Sequence, residues 1–154
     1  MPPAVMKIFA LSDNNSVENK RLELRHSAKR QPTVLVVENH DEVRDIVGSM
    51  VVGQGWRALK VSSVGEAMTC LDRENIDAIV SDWELDDGIG AEILCRATTV
   101  HTPPIPTVMI SSYASPELVA EARAAGAVDM LAKPFRIDVL TDLLDRELKM
   151  RFVR

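Results

Sequence analysis

Asp82, Glu84, Asp86 and Asp87 set four carboxylates within six residues, directly after the apolar run Ala78-Ile79-Val80. Carboxylates this close repel one another, so the stretch is either a solvated loop or a site built around something positive. Three other groups of chemistry-bearing residues also follow short apolar runs: Glu38-Asn39-His40, Ser111-Ser112-Tyr113 and Lys133-Pro134. Gathered in one place, two acids, a hydroxyl and an ammonium would surround a hard cation, with Lys133 supplying a second positive charge. Mg2+ fits best, because it takes one or two carboxylates together with waters and phosphate oxygens. Taken singly, the residues have plainer readings. Asp86 and Asp87 read as loop solvation, Asn39 as a cap for the first helix, His40 as polar surface and Lys133 as a surface lysine.

Only the fold can bring such scattered groups together. "TVLVV" (33–37), "DAIVS" (77–81) and "PTVMI" (106–110) are apolar runs of the length and type of strands buried in a parallel sheet. "WRALKV" (56–61) reads as a more edge-like strand and "VDML" (128–131) as a fifth. Between them Val43, Ile46, Val47, Met50 and Val51 form the stripe of an amphipathic helix. Val64, Ala67, Met68 and Leu71 mark a second helix. A third runs from Gly90 to about Thr99 and is ended by Pro103, Pro104 and Pro106. In "SPELVAEARAAG" Ser115 is the N-cap, Pro116 the first helical residue and Gly126 the stop. Leu140, Leu143, Leu144 and Leu148 line a last helix over 137–150. Five strand–helix alternations predict an α/β fold, a parallel sheet covered by helices on both faces. Ligands of such sheets bind at the carboxyl ends of strands, and each candidate group ends a strand.

Composition narrows the class further. The net charge of −5 divides unevenly: residues 1–31 carry six Lys/Arg against three Asp/Glu, and 32–154 carry twelve against twenty. An acidic body suits nucleic acid poorly, and the basic stretch "KRLELRHSAKR" reads as a solvated tail. No apolar run reaches the roughly 18 residues of a membrane span, and the N-terminus lacks the pattern of a signal peptide. Cys70 and Cys95 read as buried thiols of a reducing cytoplasm. Residues 1–31 are expected to be an extension, mobile or a single helix, and 151–154 a C-terminal tail.

Over 32–150 the chain resembles the receiver domain of two-component response regulators, of the single-domain kind found in chemotaxis regulators. The resemblance rests on "VLVVEN" with the following "EVR", on "SDWELDDGIG", on "PTVMISSY" and on "AGAVDMLAKPF". It implies a five-stranded parallel sheet of flavodoxin-like order 2-1-3-4-5. It also implies that Asp82 accepts a phosphoryl group from a histidine kinase or a histidine phosphotransfer protein. The metal would be held by Glu38, Asn39, Asp82 and the backbone carbonyl of Glu84, Ser111 and Lys133 would contact the phosphate, and the peptide before Pro134 would be cis. Two positions depart from the pattern: Asn39 stands where a second acid is usual, and Met130 where an aromatic switch residue is common.

The resulting expectation is a cytoplasmic phosphorelay regulator, not an enzyme, that signals to a downstream protein target without touching nucleic acid or membrane. The face of the fourth helix, fifth strand and fifth helix carries Glu117, Glu121, Arg123, Asp129, Arg136 and Arg146, which suits a monomer that dimerises weakly when phosphorylated. With no output module following the last helix, a stand-alone regulator and a piece of a longer protein are both compatible with the sequence. An aspartyl phosphatase of similar fold would place a D-x-D after the first strand, where this chain has "ENHD". A receiver-like adaptor that binds partners without accepting phosphate remains the main alternative.

Overall fold

The computed structural model describes residues 30–153; the expectation for the N-terminal extension lies outside the described residues. The chain alternates β1 (Thr33–Val37), α1 (Asp41–Gly53), β2 (Arg57–Val61), α2 (Val64–Arg73) and β3 (Ala78–Asp82). Two short strands follow, β4 (Glu84–Leu85) and β5 (Gly88–Ile89), then α3 (Gly90–Thr99), β6 (Thr107–Ser111), α4 (Pro116–Ala124), β7 (Asp129–Ala132) and α5 (Ile137–Val153). Five strands make one parallel sheet in the order β2-β1-β3-β6-β7. This is the order expected, once the small antiparallel hairpin β4–β5 is set aside.

The strand periodicity of two divides the core. Val34 and Val36 point to the side covered by α1 and α5, where they meet Val47, Val51, Leu140, Leu144 and Leu148. Leu35 and Val37 point to the other side, against Val64, Ala67 and Leu71 of α2 and Ile93 and Ala97 of α3. Every residue of β1, β3 and β6 is buried, whereas β2 is partly exposed at the sheet edge. Each fully buried Val, Leu or Ile contributes roughly 1.5–3 kcal/mol, so the three central strands are the rigid platform for whatever their ends carry.

Caps fix where helices begin. The Ser63 and Ser115 hydroxyls accept the Glu66 and Leu118 N–H groups, each at 3.1 Å. Gly126 ends the α4 segment with φ +109°, a conformation that favours glycine.

Four expectations change. Ile46 lies outside the buried stripe of α1 and is 56% exposed. Asn39 is not a cap: His40 occupies the N-cap position of α1 and makes no side-chain cap bond. Cys95 is exposed and Cys70 partly buried, both as free thiols, so they are not a buried pair. The last helix does not stop at 150. Phe152 packs against the α1–α5 side of the core, and Arg151 Nη1 donates to the Pro104 carbonyl at 3.2 Å, so the expected tail is the final turn of α5. Among the described residues, no helix is long and apolar enough to cross a membrane.

Candidate functional site

Because the strands are parallel, the residues that end β1, β3, β6 and β7 emerge on one edge. Glu38 follows β1 and is fully buried. Its N–H donates to Val61 O at 3.1 Å, and its own carbonyl accepts Arg44 Nη1 at 2.8 Å. Its Oε2 accepts the His40 N–H at 2.9 Å and lies 3.1 Å from His40 Nδ1. Asp82 is the last residue of β3; its Oδ1 accepts the Glu84 N–H at 3.0 Å. Lys133 follows β7, anchored by its N–H to Ser111 O at 2.9 Å, and the Lys133–Pro134 peptide is cis.

Lys133 Nζ joins the two acids. It donates to Asp82 Oδ2 at 2.5 Å and stands 2.6 Å from Glu38 Oε1, the latter an ion pair lacking hydrogen-bond direction. Burial drives the Asp82 carboxyl up to about 6, and the nearby Glu38 charge adds to this against the opposing pull of Lys133 and the Glu84 N–H. Burial acts upward on Glu38 too, but Lys133 and the His40 N–H outweigh it and hold Glu38 below its ordinary value. Burial alone would lower Lys133; the two carboxylates raise it instead. Two buried carboxylates therefore share one ammonium, which leaves the cluster short of positive charge.

The donor set fits a hard cation. Besides the two carboxylates, Asn39 Oδ1 is buried without a hydrogen-bond partner, an orphan acceptor of the kind that an ion would satisfy. Asn39 Nδ2 is engaged elsewhere, donating to Asp86 Oδ1 at 3.2 Å. His40 also enters the cluster: Glu38, His40 and Asp82 each offer a ligand atom within 4.8 Å of the others. His40 is polar surface, as expected, its side chain 69% exposed, and it reaches the buried acids only from the rim through Nδ1.

Ser111 ends β6, fully buried. Its hydroxyl donates to Glu84 Oε2 at 2.8 Å and accepts the Tyr113 N–H at 3.0 Å. Met130, in β7, packs with Trp83, Leu94 and Met109 under α4. Asp87 is not mere loop solvation. Its carboxylate accepts the N–H groups of Val64 and Gly65 at 2.8 and 3.0 Å, and these bonds depress its pKa.

Residues 34–145 match the response regulator receiver domain. The chain is 29% identical over 117 residues to the response regulator protein PilR of Pseudomonas aeruginosa, and the match covers 76% of this chain and 26% of that one. It is 33% identical over 122 residues to the two-component response regulator-like APRR3 of Arabidopsis thaliana, covering 77% and 25%. The chain thus spans about a quarter of the length of these relatives. Sporulation initiation phosphotransferase F of Bacillus subtilis, 22% identical, is matched over 94% of its length and 77% of this chain. Among solved structures, the receiver domain of the Francisella response regulator 1452 superposes with a TM-score of 0.73 at 25% identity, covering 79% of this chain and 99% of that one. The chemotaxis response regulator CheY4 of Vibrio cholerae gives 0.68 at 25%, covering 76% and 98%. The chain belongs to the response regulator receiver family. Receiver domains are signalling domains of two-component systems.

Proposed function

We propose that Asp82 is the phosphoacceptor of this receiver and takes its phosphoryl group from a histidine kinase or a histidine phosphotransfer protein. The observation that carries this reading is Lys133 Nζ, 2.5 Å from Asp82 Oδ2 and 2.6 Å from Glu38 Oε1, at the end of the sheet's central strand.

In the transfer a carboxylate oxygen of Asp82 attacks phosphorus. The new bond is O–P; the bond that breaks is P–N of the phosphohistidine, whose electron pair leaves on the imidazole. The Glu84 N–H and Lys133 hold the two Asp82 oxygens and so orient the nucleophile. Lys133 then neutralises charge on the phosphoryl oxygens. The Ser111 hydroxyl donates to one of them, and Met130 yields in the core beneath. Glu38, Asn39, Asp82 and the backbone carbonyl of Glu84 would hold Mg2+, which when bound offsets the negative charge of acceptor and phosphoryl group.

The output is a protein contact. On the face of α4, β7 and α5, Arg123 is already paired with Asp129 at 2.8 Å within the chain. Exposed pairs are worth about 0–1 kcal/mol each, so a phosphorylation-promoted dimer would be weak and salt-sensitive. A second reading, an adaptor that never accepts phosphate, draws on the neutral Asn39 beside the acids. Incubation with acetyl phosphate and Mg2+, followed by mass spectrometry, separates the two. One hydroxylamine-labile phosphate is expected, absent from Asp82→Asn. Label that persists in Asp82→Asn would sink the assignment, and no label on the wild type would favour the adaptor.

A further inference from the structure

Glu84 lies two residues past Asp82, yet its carboxylate is turned to Ser111, whose hydroxyl it accepts at 2.8 Å. Among the described residues no lysine, arginine or histidine pairs with Glu84, so this hydroxyl is its partner. Ser111 Oγ is itself accepting the Tyr113 N–H at 3.0 Å. A serine hydroxyl has a single proton to donate, and here it is committed to Glu84. The orientation is fixed, because Ser111 is fully buried at the end of β6 and held from both sides.

We propose that Glu84 is a positioning residue that withholds the Ser111 hydroxyl from the phosphoryl site until a phosphoryl group displaces its carboxylate. The inference rests on the reading of Asp82 as phosphoacceptor. Two anions compete for one buried donor: the Glu84 carboxylate before phosphorylation and a phosphoryl oxygen after it. A hydrogen bond to a charged acceptor is among the stronger ones, so Glu84 sets a threshold against phosphorylation and hastens return to the resting arrangement. Ser111 is the hinge of the exchange, since its carbonyl also anchors the Lys133 N–H at 2.9 Å.

The test uses beryllium fluoride with Mg2+ as a phosphoryl stand-in, bound to the full chain and followed by calorimetry. Glu84→Ala is expected to bind roughly tenfold tighter than wild type, the worth of one released charge-assisted hydrogen bond. Glu84→Gln, whose amide oxygen still accepts without charge, gains less. In a Ser111→Ala background the Glu84→Ala gain disappears. A gain that persists without Ser111 would overturn the proposal, because Glu84 would then act by charge repulsion alone. So would equal affinity of Glu84→Ala and wild type. A separate readout needs no ligand: the Tyr113 amide proton resonance should move in Glu84→Ala as Ser111 Oγ reorients, and a resonance that stays in place would overturn the latch. If every variant bound no beryllium fluoride, the phosphoacceptor reading would fall and the competition with it, and a shifted Tyr113 amide would then mark the pair as purely structural.

Discussion

The Asp87 carboxylate accepts the Val64 N–H at 2.8 Å across 23 residues of sequence, and the Gly65 N–H at 3.0 Å. It satisfies two of the free N–H groups at the start of α2 and ties the β4–β5 hairpin, which follows Asp82, to that helix. Both bonds favour the charged form, so the folded pKa lies below the ordinary Asp value of 3.8. A depressed carboxyl contributes stability that is present above the unfolded value and lost as pH falls through the folded one. Asp87→Asn should therefore melt at a lower temperature than wild type at pH 7, and the gap should close as pH drops from about 4 downward. Thermal melts across that range would test it. A gap that widens on acidification would contradict the assignment.

The two acids around Lys133 predict substitutions of opposite sign. Asp82→Asn leaves Glu38 and Lys133 as a matched pair and removes the excess charge. The metal-free fold should gain about 1 kcal/mol, the usual exchange of stability for function at a charged site. Lys133→Met leaves two buried carboxylates without a cation and should cost about 3–5 kcal/mol. Urea titrations at neutral pH in the presence of a chelator would show both. A destabilised Asp82→Asn would mean that its hydrogen bonds outweigh the repulsion.

Gly90 is there for want of space. A Cβ at this position would lie 2.4 Å from the Asp82 carbonyl oxygen, 2.4 Å from Met109 Cε and 3.1 Å from Trp83 Cα. Two of those neighbours are backbone, and the Gly90 N–H already donates to Trp83 O at 2.7 Å. Gly90→Ala should cost about 1–3 kcal/mol and disturb the peptide that carries Asp82. Gly53→Ala is the control: a Cβ there meets nothing within 4 Å, and alanine should be neutral or stabilising by up to about 1 kcal/mol. Equal stabilities for the two variants would refute the close-packing argument.

The parts of this molecule that were legible in sequence are those whose signal is local. The apolar runs behind β1, β3 and β6 announce buried strands because the neighbours of a central strand are apolar on both faces. Ser115-Pro116 announces the start of α4 because a cap acts within three residues. The strand-end rule then brought Glu38, Asp82, Ser111 and Lys133 to one edge without any knowledge of distances. What was missed is carried by pairs distant in sequence. Asp87 looks like solvation until α2 is folded against it, and Asn39 looks like a cap until Asp86 is beside it. Residues 151–154 were expected to be a tail, yet Phe152 packs against the core and Arg151 donates to the Pro104 carbonyl, partners far away in sequence.

Asn39 offers the sharpest remaining test. Its Nδ2 donates to Asp86 Oδ1 at 3.2 Å, while its Oδ1 is buried with no partner. Asn39→Asp would add a charged oxygen beside Glu38 and Asp82 and exchange the bond to Asp86 for a repulsion. Without metal the variant should therefore be less stable than wild type. With Mg2+ the added charge works the other way. A unit pair at about 4 Å near a protein surface is worth on the order of 4 kcal/mol before desolvation. The reluctance of Mg2+ to shed water cancels part of it. A net gain of one to two kcal/mol, roughly tenfold in affinity, is the expected result. Asp86→Asn combined with Asn39→Asp separates the terms: it should recover the part of the metal-free stability lost to the Asp86 repulsion, leave the part due to Glu38 and Asp82, and keep the tighter binding. Trp83, buried next to Asp82, supplies the fluorescence readout for the titration, with Trp56 as a second emitter to subtract by a Trp56→Phe background. Equal Mg2+ affinities for wild type and Asn39→Asp would show that the amide serves the Asp86 contact and not the ion.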